Sequence, residues 1–219
     1  ATLSGTGLEV TDRIAIFAGV ECGSPSEAVT WSGLQHDSHA AGVFDLGTVT
    51  AGIPGQLYAL CWQNVQGEGF HVVVDPDFEL VGPRWRDFEC TMGLSCVLAV
   101  STDAIPSSSV SILASGPCRD GVVAEWSGLV AAGARWSGSG FDLGIATRGH
   151  PGPTFVVCWT HDSESVSAIV EMGSLGVVGP AALDAACTLG LDCNVEVNGW
   201  GLSTSNVLAV FTGGECGSG

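Results

Sequence analysis

The chain repeats itself, cysteines included, at a spacing of 97 residues. Cys90-Thr91-Met92-Gly93-Leu94-Ser95-Cys96 returns as Cys187-Thr188-Leu189-Gly190-Leu191-Asp192-Cys193, and Cys61-Trp62 returns as Cys158-Trp159. Val81-Gly82-Pro83 returns as Val178-Gly179-Pro180, and Phe44-Asp45-Leu46-Gly47 as Phe141-Asp142-Leu143-Gly144. Trp31-Ser32-Gly33-Leu34 and Trp126-Ser127-Gly128-Leu129 stand 95 apart, so small insertions fall between markers. So many markers in register describe a tandem array of similar domains, not a fold built around one catalytic centre.

The repeat frame divides the chain out of phase. Residues 88–184 make one full unit holding Cys90, Cys96, Cys118 and Cys158. Residues 1–87 hold most of a preceding unit, with Cys22 and Cys61, and residues 185–219 begin a third, with Cys187, Cys193 and Cys216. Aligning Gly5-Thr6-Gly7-Leu8 with Gly199-Trp200-Gly201-Leu202 puts the first unit's missing cysteines just before Ala1. The odd total of nine then follows from the frame and calls for no reactive thiol. The expectation is a window on a longer polypeptide that continues past Ala1 and Gly219. Residues 1–25 and 195–219 are equivalent parts of the repeat, so joining copies end to end is expected to duplicate strands instead of completing them.

The net charge of −17 narrows the partners. The cations are Arg13, Arg84, Arg86, Arg119, Arg135 and Arg148, and the chain has no lysine. Such a surface repels nucleic acid and anionic lipid. Regular cysteine pairs in small units point to an oxidising, extracellular setting. Zinc fits poorly, because the cysteine spacings are too wide and no histidine recurs with them. No apolar stretch is long enough to span a bilayer, since Glu171 and Asp184 interrupt the best one. Asn64, Asn194, Asn198 and Asn206 all fail the N-glycosylation pattern, which leaves Ser and Thr as the sites for any O-linked glycan.

Strand signals dominate. Ile14–Phe17, Val110–Leu113 and Val207–Phe211 occupy equivalent places, and Cys96–Val100 and Asn194–Val197 are strands that precede two of them. Val43–Val49, Leu57–Trp62 and Phe70–Val74 follow, the last with Val166–Val170 as its counterpart. Ala181–Ala186 is a short helical candidate. About seven short strands per unit predict an all-β fold of tandem immunoglobulin-like β-sandwiches. The Val-Gly-Pro step is expected to end strand pairing, because proline lacks a ladder donor.

Gly5-Thr6-Gly7-Leu8 with Asp12-Arg13-Ile14 resembles the opening of an IPT/TIG immunoglobulin-like domain. The Cys-Thr-x-Gly-Leu-x-Cys and Cys-Trp motifs resemble repeats of very large extracellular proteins of algae and other protists. The middle unit departs from the glycine motif, with Ser101-Thr102-Asp103-Ala104-Ile105 in its place. The resemblance implies disulfide-bonded units in a cell coat or a flagellar hair (mastigoneme), with homo-oligomeric lateral contacts. An immunoglobulin-like sandwich further implies a bridge between its second and sixth strands, hence Cys96–Cys158 and, by remainder, Cys90–Cys118. Cys90–Cys96 with Cys118–Cys158 is the next alternative, and Cys96–Cys118 with Cys90–Cys158 the third.

Few residues suggest chemistry. His36-Asp37-Ser38-His39 could gather round a metal, but its counterpart Val130-Ala131-Ala132-Gly133 keeps none of these groups, so a surface insertion is expected. Asp75-Pro76-Asp77-Phe78-Glu79 clusters carboxylates of the kind calcium takes, and only one acid survives in Glu171-Met172-Gly173-Ser174-Leu175. No nucleophile elbow, His-Glu-x-x-His helix or framed acid pair is present. Gly138-Ser139-Gly140 and Gly213-Gly214 read as turns, with no helix to hold a phosphate. No cofactor and no metal are expected. Trp85, Trp136 and Trp200 lack counterparts and are the candidate contact residues, able to stack on sugars or dock another chain. Trp31, Trp62, Trp126 and Trp159 recur and are expected in the core. The expectation is a non-enzymatic, extracellular structural segment of a fibre or surface layer. A carbohydrate-binding or adhesive module is the alternative.

Overall fold

The computed structural model describes residues 1–40, 42–55, 57–64, 69–100, 107–162 and 169–212, and of residues 36–40, 57 and 169 the backbone only. Cys216, Gly213-Gly214, residues 101–105 and residues 166–168 lie outside the described set. The fold is all-β, with a single short 3-10 turn at Pro25–Glu27 among the described residues. The chain forms two compact units, Ala1–Arg84 and Trp85–Gly219. Their boundary falls just before the 87/88 frame, and residues 185–219 belong to the second unit.

In the first unit, β1 (Arg13–Ala18), β4 (Leu57–Gln63) and β5 (Val72–Glu79) form one antiparallel sheet in the order β1-β4-β5. A hairpin of β2 (Leu34–Ala40) and β3 (Val43–Gly47) forms another. Side chains alternate across each strand. Ile14, Ile16, Tyr58 and Leu60 therefore share a core with Phe44 of β3. Ala15, Phe17, Ala59 and Cys61 pack on the opposite face with Phe70. Burial on both faces explains why Ile14–Phe17 is an unbroken apolar run. The second face is roofed by the loop that the Cys22–Cys61 disulfide ties down.

The second unit repeats the strands of the first and adds five more. β8 (Ser109–Ser115), β13 (Gly152–Thr160) and β14 (Ile169–Pro180) correspond to β1, β4 and β5. β9 (Val122–Val123) pairs with β8. β10 (Trp126–Leu129) and β12 (Phe141–Gly149) correspond to β2 and β3. β11 (Ala134–Arg135) borders β8, and β15 (Gly199–Trp200) borders the end of β14. Besides β9, β11 and β15, the added strands are β6 (Arg86–Thr91), parallel to β14, and β7 (Ser95–Leu98), antiparallel to β12. Val110, Ile112, Val157, Met172, Leu175 and Val177 of one sheet meet Leu98, Leu129, Phe141, Leu143 and Ala146 of the other in a single core. This is sandwich-like packing of two sheets.

The repeated markers have matching local geometry. The Gly47 amide donates to the Asp45 carboxylate at 2.8 Å, and the Gly144 amide to Asp142 at 2.8 Å. Thr50 donates its hydroxyl to the Ser32 carbonyl at 3.3 Å, and Thr147 to Ser127 at 3.2 Å. Trp31 and Trp62 pack against one core, and Trp126 and Trp159 belong to the other. Trp31 meets Tyr58 edge-on at 4.6 Å, and Trp126 meets Phe155 at 4.5 Å.

Several expectations are corrected. The disulfides of the second unit are Cys90–Cys96 and Cys118–Cys158, not Cys96–Cys158 and Cys90–Cys118. Val157 and Trp159 point into the core that contains Cys96, so Cys158 between them faces the other way and cannot reach it. Val178-Gly179-Pro180 does not end pairing. β14 runs through it, Val178 lies beside Thr91, and the Ala181 amide past the proline donates to Asn198 at 2.8 Å. Residues 194–197 and 207–211 form no strand, and 181–186 form no helix. Strands β8 and β1 pair with β13 and β4, and the 219 residues hold no third copy of that partner for 207–211.

Candidate functional site

The Cys-Thr-x-Gly-Leu-x-Cys motif is a clip that joins the two sheets. Cys90 ends on β6 in one sheet and Cys96 sits on β7 in the other, with their Cα atoms 5.4 Å apart. A tight turn lies between them, where Leu94 donates to the Thr91 carbonyl at 3.1 Å and Gly93 takes φ 82°. A left-handed residue is needed there, which favours glycine. Consecutive amides then serve opposite sheets. Met92 donates to Val178 of β14 at 2.9 Å, and Gly93 donates to Ala146 of β12 at 2.8 Å. Outside the clip, the Ser174 hydroxyl donates to the Asp87 carboxylate at 2.6 Å, and Arg86 donates to the Ala99 carbonyl at 2.9 Å while lying over the Phe88 ring.

The same clip is built again at 187–193 and joins nothing. Cys187 and Cys193 form the same local bridge. Leu191 donates to Thr188 at 3.1 Å, and Gly190 takes φ 87°. Residues 181–198 form no ladder, and Leu189 is 102% exposed where its counterpart Met92 is packed against the core.

The first unit shows the complementary lack. Its β5 has β4 on one side, and among the described residues no strand on the other. At the edge where β7 lies in the second unit, its β3 has Ala1 and Thr2 beside it. Leu143, Leu175 and Val177 are fully buried, whereas their counterparts Leu46, Phe78 and Leu80 are half-buried. Val81, the counterpart of Val178, is 53% exposed.

The residues singled out in the sequence do not converge. Trp85 is 59% exposed at the start of the second unit. Trp136 is half-buried and meets Phe141 edge-on at 5.3 Å. Trp200 is half-buried on β15, its ring against Gly176. The three make no common stacking platform. His36, Asp37 and His39 lie on β2, with side chains outside the described set. Asp75, Asp77 and Glu79 lie along β5, where the Asp77 amide donates to the Asp75 carboxylate at 3.0 Å. Among the described residues no group of three or more His, Cys, Asp or Glu is placed to hold a metal. No described helix is long and apolar enough to cross a membrane.

Among the described residues two groups carry perturbed pKa values, and both have structural causes. The Ser24 amide and then its hydroxyl donate to Glu27 and hold its carboxyl below the usual value. Burial pushes the Tyr58 hydroxyl up, opposed in part by its 2.9 Å hydrogen bond to the Ile53 carbonyl. A groove of about 400 Å³ lies in the second unit between Met92, Val178–Pro180 and Val197–Leu208. It contains no convergent charged groups. The six-residue cysteine spacing is short enough to close locally, and the pairing that the sequence offered as its second alternative is the one formed. Comparison with protein-family models, with curated proteins and with solved structures returned no match.

Proposed function

We propose that this chain is a structural, non-enzymatic segment of an extracellular tandem-repeat protein, with immunoglobulin-like units of the IPT/TIG kind serving as spacers and contact modules in a fibre, flagellar hair or surface layer. The observation that carries this reading is the clip. The cysteines of the 97-residue repeat tie the opening of a unit across its two sheets, and the motif is spent on holding strands instead of on presenting reactive groups. Four disulfides and the absence of a long apolar helix among the described residues fit a secreted setting. The strongly acidic surface keeps such modules soluble and apart from nucleic acid. Electron microscopy of the native material is the test. A filament with a regular axial repeat supports the reading, and dispersed particles without one overturn it.

A carbohydrate-binding or adhesive role is the second reading, favoured by the exposure of Trp85. Glycan-array binding that is lost in Trp85→Ala or Trp136→Ala would support it.

A further inference from the structure

The repeat frame puts a joint between Val178-Gly179-Pro180, which closes the 88–184 repeat, and Gly199-Trp200-Gly201-Leu202, which opens the next. Residues 181–198 between them form no ladder, yet the chain returns to the strand it left. Gly179 pairs with Trp200 and Pro180 with Gly199, antiparallel, and the Ala181 amide donates to the Asn198 carbonyl at 2.8 Å. The Trp200 ring lies against Gly176, further back along β14. We propose that the end of β14 is a docking surface for the Gly-Trp-Gly strand of the following repeat, and that Trp200 seated on Gly176 is the latch that makes this joint stiff.

Each residue of the joint has a steric reason. A Cβ on Gly199 would run into the Gly179 carbonyl, so glycine is what lets the two strands come this close. Gly201 takes φ 66°, in the left-handed region, and a Cβ there would press on the Val178 side chain at 2.9 Å. A Cβ on Gly176 would stand 2.8 Å from Cη2 of Trp200 and 3.0 Å from its Cζ3, so the ring occupies the space that a side chain would fill. Gly176 is buried and Trp200 half-buried. Water excluded from the large apolar face of the indole favours the seated ring.

The repeat supplies its own comparison. One repeat earlier in the sequence, Thr102, Asp103 and Ala104 stand for Gly199, Trp200 and Gly201, and Glu79 stands for Gly176. The latch admits none of the four. Thr and Ala bring the Cβ that Gly199 and Gly201 lack, Asp has no ring, and Glu fills the seat. Ring and seat are therefore present together and absent together in this chain. Gly5-Thr6-Gly7 keeps the two glycines, with Gly7 at φ 76°, but not the ring. The glycines shape the strand, and the residue between them decides whether it latches. The occupant of the seat is this chain's own Gly-Trp-Gly segment and not a sugar, because the ring already lies on Gly176.

Amide-resolved hydrogen exchange and backbone NMR relaxation on the full, oxidised chain test the latch. Residues 187–202 should tumble as one body with β13 and β14, and the Ala181 amide should be protected. Trp200→Thr installs the residue that the first unit has at this place. It should speed exchange at Ala181 about tenfold or more and let residues 187–202 move on their own. Trp200→Phe keeps a ring and should change that exchange less than about threefold. Gly176→Glu fills the seat and should act as Trp200→Thr does. If Gly176→Glu also unfolds β14, Trp200→Thr leaves that strand's sequence untouched and still decides. Independent motion of residues 187–202 in the unaltered chain, or an Ala181 amide indifferent to Trp200→Thr, overturns the proposal. The inference rests on the reading of the repeats as spacers, for which a stiff joint fixes the axial spacing, but the two fail separately. A loose joint in solution would sink the latch and leave the structural role, whereas native material without a filament would sink that role and leave the latch.

Discussion

Cys96 lies in the core between the two sheets of the second unit, and Cys158 lies behind one of them, on the far face of β13. Their separation is set by the alternation of side chains on one strand, since Val157 and Trp159 take the inward positions on either side of Cys158. Non-reducing peptide mapping should therefore find Cys90 joined to Cys96 and Cys118 to Cys158. Replacing each pair by serine should cost about 2 kcal/mol for the short loop and about 4 kcal/mol for the long one. A peptide joining Cys96 to Cys158 would show this assignment to be wrong.

Gly173→Ala tests the parallel strand. Gly173 takes φ 149°, and a Cβ there would run into the Arg86 carbonyl of β6. The substitution should cost more than about 1 kcal/mol in urea unfolding and should loosen β6 selectively, seen as faster amide exchange there. Unchanged stability would mean that β6 does not lie against this position.

Leu143→Ala and Leu46→Ala form a matched pair. Both leucines occupy the same place in the repeat, but Leu143 is fully buried and Leu46 is half-buried. Truncating Leu143 should cost about 3–5 kcal/mol and truncating Leu46 about half that or less. Equal costs would show that the clip adds nothing to the core beneath it.

Tyr58→Phe should weaken the first unit by about 1 kcal/mol near neutral pH, by removing the hydrogen bond to Ile53. It should also alter the alkaline limit. The folded pKa of Tyr58 lies above its ordinary value of 10.0, because burial disfavours the phenolate. The unfolded chain gives up its proton first, so this contribution is present below about pH 10 and is lost as pH rises through the folded value. Thermal melts from pH 8 to beyond this range should show a fall in the native chain that is blunted in the variant. Parallel curves would exclude the linkage.

The paired markers make the second unit's strands legible in the sequence. Val110–Leu113, the Cys158-Trp159 step and Phe141–Gly144 are strand segments in the structure, and the recurring tryptophans pack in cores. Strand periodicity and repetition are local properties, so they survive in a string of letters. Asn194–Val197 and Val207–Phe211 have the same local pattern and form no strand, because a strand is completed by its neighbour. The candidate site was half legible: the cysteine motif stood out as a repeat, but its action as a clip between sheets did not.

What the sequence determined by itself is therefore the all-β character, the repeated strand and core positions, and the disulfide-bonded cysteines. Pairwise choices were left to the tertiary structure. It decided that Cys90 reaches Cys96, that β6 runs parallel to β14, and that the edge of β5 has no strand beside it among the described residues. The reason is geometric. Repetition and alternation say which residues are equivalent and which face inward, whereas partner, direction and register depend on where two distant segments meet in space, and several arrangements satisfy the same alternation.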